Sequence, residues 1–212
     1  NWWKAYVVNA EGERKDMPML YIGERFGSAA GYKVNEADIV LSAFENDQCI
    51  VNPESKGGAI FAVGYSNRGE LFNSPDMYGI KTIVGNKYKG AGVTANQSVT
   101  HNLKLMAEHA LKNKCMKATH QDIRSEIQTM KVLTLDRSRH KNLAETISNL
   151  GATTILVKDD DLTPTFAAVR NEIDLIVGVG GVPGGVLSGI IVEQLGGEMS
   201  LRILPKEVAL DE

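Results

Sequence analysis

The spacing of apolar positions changes about half-way along the chain. Trp3 to Val8 is a β-branched and aromatic run that reads as a strand, and it ends in the polar turn Asn9–Arg14. Asp38–Leu41, Ala59–Tyr65 and Lys81–Val84 read as further strands. Arg68-Gly69-Glu70 reads as a hairpin turn into Leu71-Phe72. Pro18–Phe26 is apolar but too short for its period to separate strand from helix. The front half is therefore expected to be strand after strand, mixed to antiparallel. Helical spacing then takes over at Leu103–Asn113 and Asp122–Gln128. After these, strands alternate with helices: Lys131–Leu135, the helix Arg139–Leu150 closed by Gly151, Ala152–Val157, the helix Pro164–Arg170, Asp174–Val179, and the helix Val186–Leu195 closed by Gly196-Gly197. Alternation of this kind predicts a parallel α/β layer. The organisation expected is a front β-rich lobe over 1–90, a helical connector over 91–130 and an α/β lobe over 131–212.

Composition narrows the function classes. The chain has 212 residues, 43% hydrophobic and 23% charged, which excludes disordered, collagen-like and coiled-coil chains. No apolar run reaches the ~18–20 residues of a membrane helix, and the first residues do not read as a signal, so no membrane partner is expected. A net charge of −3 does not suit a mainly electrostatic nucleic-acid binder, so no nucleic-acid partner is expected. Cys49 and Cys115 have no metal or redox spacing, which fits free thiols in a reducing cytoplasm.

Five segments carry chemistry. Asp174 to Ser188 is an apolar strand, a glycine-rich stretch and a helix start, an arrangement that can turn backbone N–H groups toward a phosphate. Pro183 stands where the dinucleotide fingerprint needs glycine, so a tight turn requiring positive φ is an equal reading. Glu11-Gly12-Glu13 puts two hard oxygen ligands on a loop, suited to Mg²⁺ or Mn²⁺, or merely a solvated acidic turn. Arg137 and Arg139 in Leu135–His140 stand before a helix, where the macrodipole disfavours cations, which favours an anion ligand over helix-start electrostatics. Asp159-Asp160-Asp161 follows a strand, where α/β sheets bind ligands and where a helix N-cap also fits. Ser74–Tyr78 with Lys81 reads as a turn displaying a tyrosine and a lysine to phosphate. His101, His109 and His120 form no metal-binding spacing.

Taken in order, these segments resemble the class II fructose-1,6-bisphosphatase family, the GlpX-type sugar phosphatases. Glu11-Gly-Glu-Arg with Met17-Pro-Met-Leu-Tyr-Ile-Gly-Glu24 is similar to the family's GEGE-x-DEAPMLYIGE. Asn73-Ser-Pro-Asp-Met-Tyr78 with Lys81 is similar to NAPDMY-x-x-K, and Leu135–His140 to LDRPRH. Asp159–Asp161 stands at DGD, and Asp174–Gly185 is similar to DLIVGIGGAPEG, continuing into Gly196–Met199 and Arg202–Pro205. The resemblance implies a sugar-phosphatase-like layered α/β sandwich that hydrolyses a sugar bisphosphate to the monophosphate and phosphate, using Mn²⁺ or Mg²⁺ held by carboxylates. It implies Glu11, Glu13 and Glu45 as metal ligands. Tyr78, Lys81, Arg137, Arg139, Asp159 and Asp161 would grip the substrate, with Gly180 and Gly181 in the loop lining it. Glu45 and Asp47 are the candidate catalytic residues.

The chain also departs from that pattern. In the segment matching DP-x-EGT, Ser42 stands at the metal-binding Asp and Asp47 at the catalytic Thr. Asp47 offers a carboxylate that would partly replace the one absent at Ser42. Gly184 stands at the metal-binding Glu of GGAPEG. The chain is shorter than the family pattern at both ends, so a truncated, partly degenerate member is expected. The competing expectation is therefore an impaired relative that binds sugar phosphate or serves as a structural or regulatory subunit. A homo-oligomer is expected in either case.

Overall fold

A computed structural model of the chain describes residues 3–11, 21–27, 35–45, 59–74, 77–158 and 162–205, with the backbone alone at Glu11 and Phe44. The chain divides into two compact units, Asn1–Met77 with Gly181–Ile190, and Tyr78–Gly180 with Ile191–Glu212. The class is mixed α/β, as expected, and the layering is clearest in the second unit.

In the first unit, β1 (Trp3–Glu11), β2 (Arg25–Phe26), β3 (Asn35–Glu45) and β4 (Ile60–Asn67) form a sheet of order β2-β1-β3-β4. The antiparallel expectation holds for β1–β2 and β3–β4, but β1 and β3 run parallel. β2 lies between them in sequence, so β1 and β3 are not joined by a hairpin. The hairpin expected at Arg68–Glu70 is also corrected. The chain turns there, with Gly69 at φ 87, but Leu71-Phe72 does not form a strand. Asp38 holds the turn through the Arg68 guanidinium and the Gly69 N–H (2.7 Å). Buried Asn9 takes up the segment beyond it. Its side-chain amide donates to the Phe72 carbonyl, and its oxygen accepts from the Ser74 N–H (3.1 Å) and hydroxyl (2.7 Å). Polar side chains thus satisfy backbone groups that a second hairpin strand would have paired.

In the second unit, β5 (Tyr78–Val84), β6 (Lys131–Leu135), β7 (Thr153–Val157), β8 (Leu175–Gly181) and β9 (Glu198–Ile203) form a sheet of order β7-β6-β8-β5-β9. The helices are α1 (Val99–Asn113), α2 (His120–Gln128), α3 (Lys141–Asn149) and α4 (Leu162–Val169). A fifth, α5 (Val182–Leu195), is shared between the units. β6 is parallel to β7 and β8, as the alternation predicts. The parallel reading fails at the other edge, where β9 pairs antiparallel with β5. Adjacent residues of three strands enter opposite cores. Val84, Val132 and Leu175 join one cluster with Leu103, Met106 and Met130, while Ile83, Leu133 and Ile176 join another with Ala168 and Val192. A sheet buried on both faces has continuous apolar strands, and Asp174–Val179 reads that way.

The helix ends follow local chemistry. Ser98 caps α1, accepting from the His101 N–H (3.2 Å). Thr119 and Asp122 close a reciprocal capping box on α2. Gly151, with φ 91, donates to the Ser148 carbonyl (2.9 Å) just past α3, the capping role expected of it.

Candidate functional site

The carboxyl ends of parallel strands are where open α/β sheets bind ligands. In the second unit, β6 and β8 run parallel and end at Leu135 and Gly181. A single 3₁₀ turn, Ser138–His140, follows β6 and leads directly into α3. No side chain caps either start. The Arg139 guanidinium donates to the Val179 carbonyl on β8 (3.1 Å) and lies 5.6 Å from the centre of the Tyr78 ring. Buried His140 is tied to the same residue, because the Val179 N–H donates to Nε2 (2.9 Å). Its Nδ1 stands 3.0 Å from the Leu135 carbonyl.

The structure therefore brings together Tyr78, Arg139 and the Val179–Gly180 end of β8. Arg137 lines a cavity of about 770 Å³ with Asp136, Lys141, Glu145, Ser148 and Thr154, between α3 and β7. The two arginines are two residues apart across a tight turn, and they serve different surroundings. Tyr78 and Lys81 were expected on a displayed turn. Both lie in β5, and Lys81 is buried there at 3% exposure opposite Leu201.

The glycine-rich stretch is also not a loop. Gly180 and Gly181 are the last residues of β8, neither has positive φ, and α5 begins at Val182. The Val182 N–H donates to the Met77 carbonyl (2.8 Å), and Pro183 has no N–H. The positive-φ turn weighed for this stretch is thus replaced by a direct strand-to-helix passage. Spatial need for glycine is clear at Gly178, where a Cβ would stand 3.1 Å from both His140 Cε1 and Thr134 Oγ1.

At the opposite end of β8, Asp174 has a different task from the rest of its motif. One carboxylate oxygen accepts from Lys87 Nζ (3.0 Å) and the other from the Lys131 N–H (2.8 Å). The Lys87 ammonium lies 4.7 Å from the Tyr88 ring centre. Burial pushes the Tyr88 hydroxyl up to about 12, with Lys87 pulling the other way and Asp174 adding to the rise. Burial also works against the charge of Lys87, but Tyr88 and Asp174 outweigh it and hold the Lys87 pKa above its ordinary value.

The metal-ligand candidates Glu11 and Glu45 belong to the first unit. The parallel register of β1 and β3 pairs Glu11 with Ser42, and β3 ends three residues later at buried Glu45. The motifs of Glu11 and Glu45 thus reach the same end of adjacent strands, and a serine occupies the register position beside Glu11. Glu13, Asp47, Asp159 and Asp161 lie outside the described residues. Among the described residues, no group of three or more His, Cys, Asp or Glu is placed to hold a metal ion. They do not by themselves make up a metal centre.

Residues 3–211 match the family described as "Bacterial fructose-1,6-bisphosphatase, glpX-encoded". The chain belongs to this family. It is 29% identical over 204 residues to a fructose-1,6-bisphosphatase class 2 of Haemophilus influenzae, a match covering 95% of the chain and 56% of the relative. It is 31% identical over 209 residues to a D-fructose 1,6-bisphosphatase class 2/sedoheptulose 1,7-bisphosphatase of Crocosphaera subtropica, covering 93% of the chain and 56% of the relative. A fructose-1,6-bisphosphatase 1 class 2 of Escherichia coli is 30% identical over 202 residues, covering 94% and 54%. This glpX-family chain thus spans about half the length of the curated relatives it matches. Among its described residues, no helix is long and apolar enough to cross a membrane.

Two features of the site were missed in the sequence. His140 closes the run that carries the arginines, but nothing in its spacing signals that both ring nitrogens meet backbone groups. Asn9 looked like a turn residue after the first strand, whereas it lies within β1 and anchors the segment at Phe72–Ser74.

Proposed function

We propose that this chain acts in hydrolysis of a ketose bisphosphate, fructose 1,6-bisphosphate or sedoheptulose 1,7-bisphosphate, to the monophosphate and phosphate. The observation that carries the reading is the Arg139 guanidinium fixed against Val179 and Tyr78 at the carboxyl end of β8. A guanidinium is a planar fork of donors that stays charged and matches phosphate oxygens. Tyr78 adds a phenol beside it, and Gly180 permits close approach of substrate to backbone. Family membership supports the substrate class.

The proposed ion is Mn²⁺ or Mg²⁺, taken by the hard oxygens of Glu11, Glu13, Glu45 and Asp47. Such an ion, when bound, neutralises phosphoryl charge. The described residues alone do not complete its site, so the proposal depends on Glu13 and Asp47. The reading places the reaction in the cytoplasm, where the exposed free thiol of Cys115 is at home.

Calorimetry with fructose 1,6-bisphosphate tests the grip, and phosphate release with Mn²⁺ tests the chemistry. Arg139→Ala is expected to weaken binding by about ten- to a hundredfold, the scale of a lost hydrogen bond to a charged group. Unchanged binding in that variant would overturn the placement of the grip. Phosphate release no faster than that of Glu45→Gln would overturn hydrolysis by this chain.

A further inference from the structure

We infer that His140 is a positioning residue, locked as the neutral Nδ1–H tautomer, that sets the place of Arg139. A backbone carbonyl can only accept and an amide N–H can only donate. Nδ1 faces the Leu135 carbonyl at 3.0 Å, so it carries the proton. Nε2 receives the Val179 N–H at 2.9 Å, so it is bare. An imidazolium, or the other tautomer, would set two hydrogens against each other at Val179. Both ring nitrogens are thus committed to the backbone, which removes His140 from service as a general base or metal ligand.

The consequence falls on its neighbour. Val179 is held on its N–H by His140 and on its carbonyl by Arg139, which are consecutive residues of one turn. The turn after β6 is therefore fastened to β8 at a single residue through both of that residue's polar groups. With the ring in place, the guanidinium is aimed at the Tyr78 side of the strand end. Gly178 makes room for the ring, since a Cβ there would stand 3.1 Å from Cε1. A residue that acts through another in this way affects ligand binding without touching the ligand.

This role rests on the proposed sugar-phosphate grip, and the experiment separates the two. Nitrogen NMR of the full chain at about pH 7 is expected to show His140 with Nδ1 protonated and Nε2 bare; any other tautomer overturns the lock. Calorimetry with fructose 1,6-bisphosphate then compares three proteins. His140→Ala is expected to bind about tenfold or more weakly, on the scale of a misplaced contact. His140→Gln, whose side-chain carbonyl can accept from Val179, is expected to recover most of that loss. Equal binding by the unaltered chain and His140→Ala overturns the positioning role while leaving the grip intact. So does a Gln variant as weak as the Ala variant while both remain folded. Absence of binding by the unaltered chain overturns the grip and the positioning role together, with the tautomer still deciding the lock.

Discussion

The two units solve the problem of burying a sheet in different ways. In the second unit, neighbouring residues along β5, β6 and β8 feed two separate cores, so both faces are covered. In the first unit, β4 is an edge strand whose Phe61, Val63 and Tyr65 are exposed at 66%, 54% and 73%, while Gly64 between them lies against Val40, Leu187 and Ile190. Among the described residues of that unit, a buried cluster centres on Val7, Ala10 and Leu41, and their neighbours Val8 and Val40 are buried too, so the open part is the edge. The difference also divides the chemistry. The second unit carries Tyr78 and Arg139 at a strand end, with Arg139 fixed by a backbone hydrogen bond. The first unit carries Glu11 and Glu45.

The largest expected effect tests that contrast directly. Leu175→Ala, at a fully buried position of β8, is expected to cost about 2–5 kcal/mol in chemical denaturation. Val63→Ala, on the open face of β4, is expected to stay within about 0.5 kcal/mol. A comparable loss at both positions would break the comparison.

Next in size is an alkaline loss belonging to the second unit. The folded state keeps the Tyr88 hydroxyl protonated up to about 12, against an ordinary 10.0. Its contribution is present in full below pH 10 and is lost as pH rises towards 12. Lys87 acts in the same direction, because its raised pKa favours the charged form below its ordinary 10.5 and that advantage disappears above the folded value. The unfolding free energy should therefore fall above about pH 10, by up to about 2 kcal/mol from Tyr88, as measured by chemical denaturation. Tyr88→Phe should flatten the fall, and an unaltered slope in that variant would contradict the assignment.

A smaller gain is available at the end of α1. Cys115 has φ 56, its N–H donates to Lys112, and the Met116 N–H donates to Leu111. This is the glycine position of a helix-ending motif, occupied by a residue with a Cβ. Cys115→Gly is expected to stabilise the chain by about 1 kcal/mol, measured by thermal melting. The smallest effect lies in the first unit and has the opposite pH dependence. The Ser66 hydroxyl, then the Asn67 side chain, hold the Glu70 carboxyl below its ordinary 4.5. That contribution is present above pH 4.5 and disappears as pH falls through the lowered value. Glu70 is exposed, so Glu70→Gln should shift the acid midpoint only slightly.

Much of the second unit was legible in its sequence, because parallel strands buried on both faces leave unbroken apolar runs such as Leu175–Val177. Gly151 was legible as a helix stop for the same local reason it works as one. β9 was overlooked although Met199, Leu201 and Ile203 alternate with polar residues, a period-two signal short enough to pass for a tail. The parallel pairing of β1 with β3 was hidden, since residue patterns on a strand do not state its partner's direction. The site was legible as a set of motifs but not as a geometry. Arg137 and Arg139 are equivalent in sequence, and only the 3₁₀ turn sends one to the α3–β7 cavity and the other to Tyr78. Lys81 looked displayed because its neighbours include turn residues, yet the strand pattern of β5 carries it inside.

The most direct test of the account is a crystal structure of the chain soaked with fructose 1,6-bisphosphate. The account predicts a phosphate within hydrogen-bond reach of the Arg139 guanidinium, beside Tyr78. A phosphate held only in the cavity of Arg137 and Lys141, with Arg139 untouched, would contradict it.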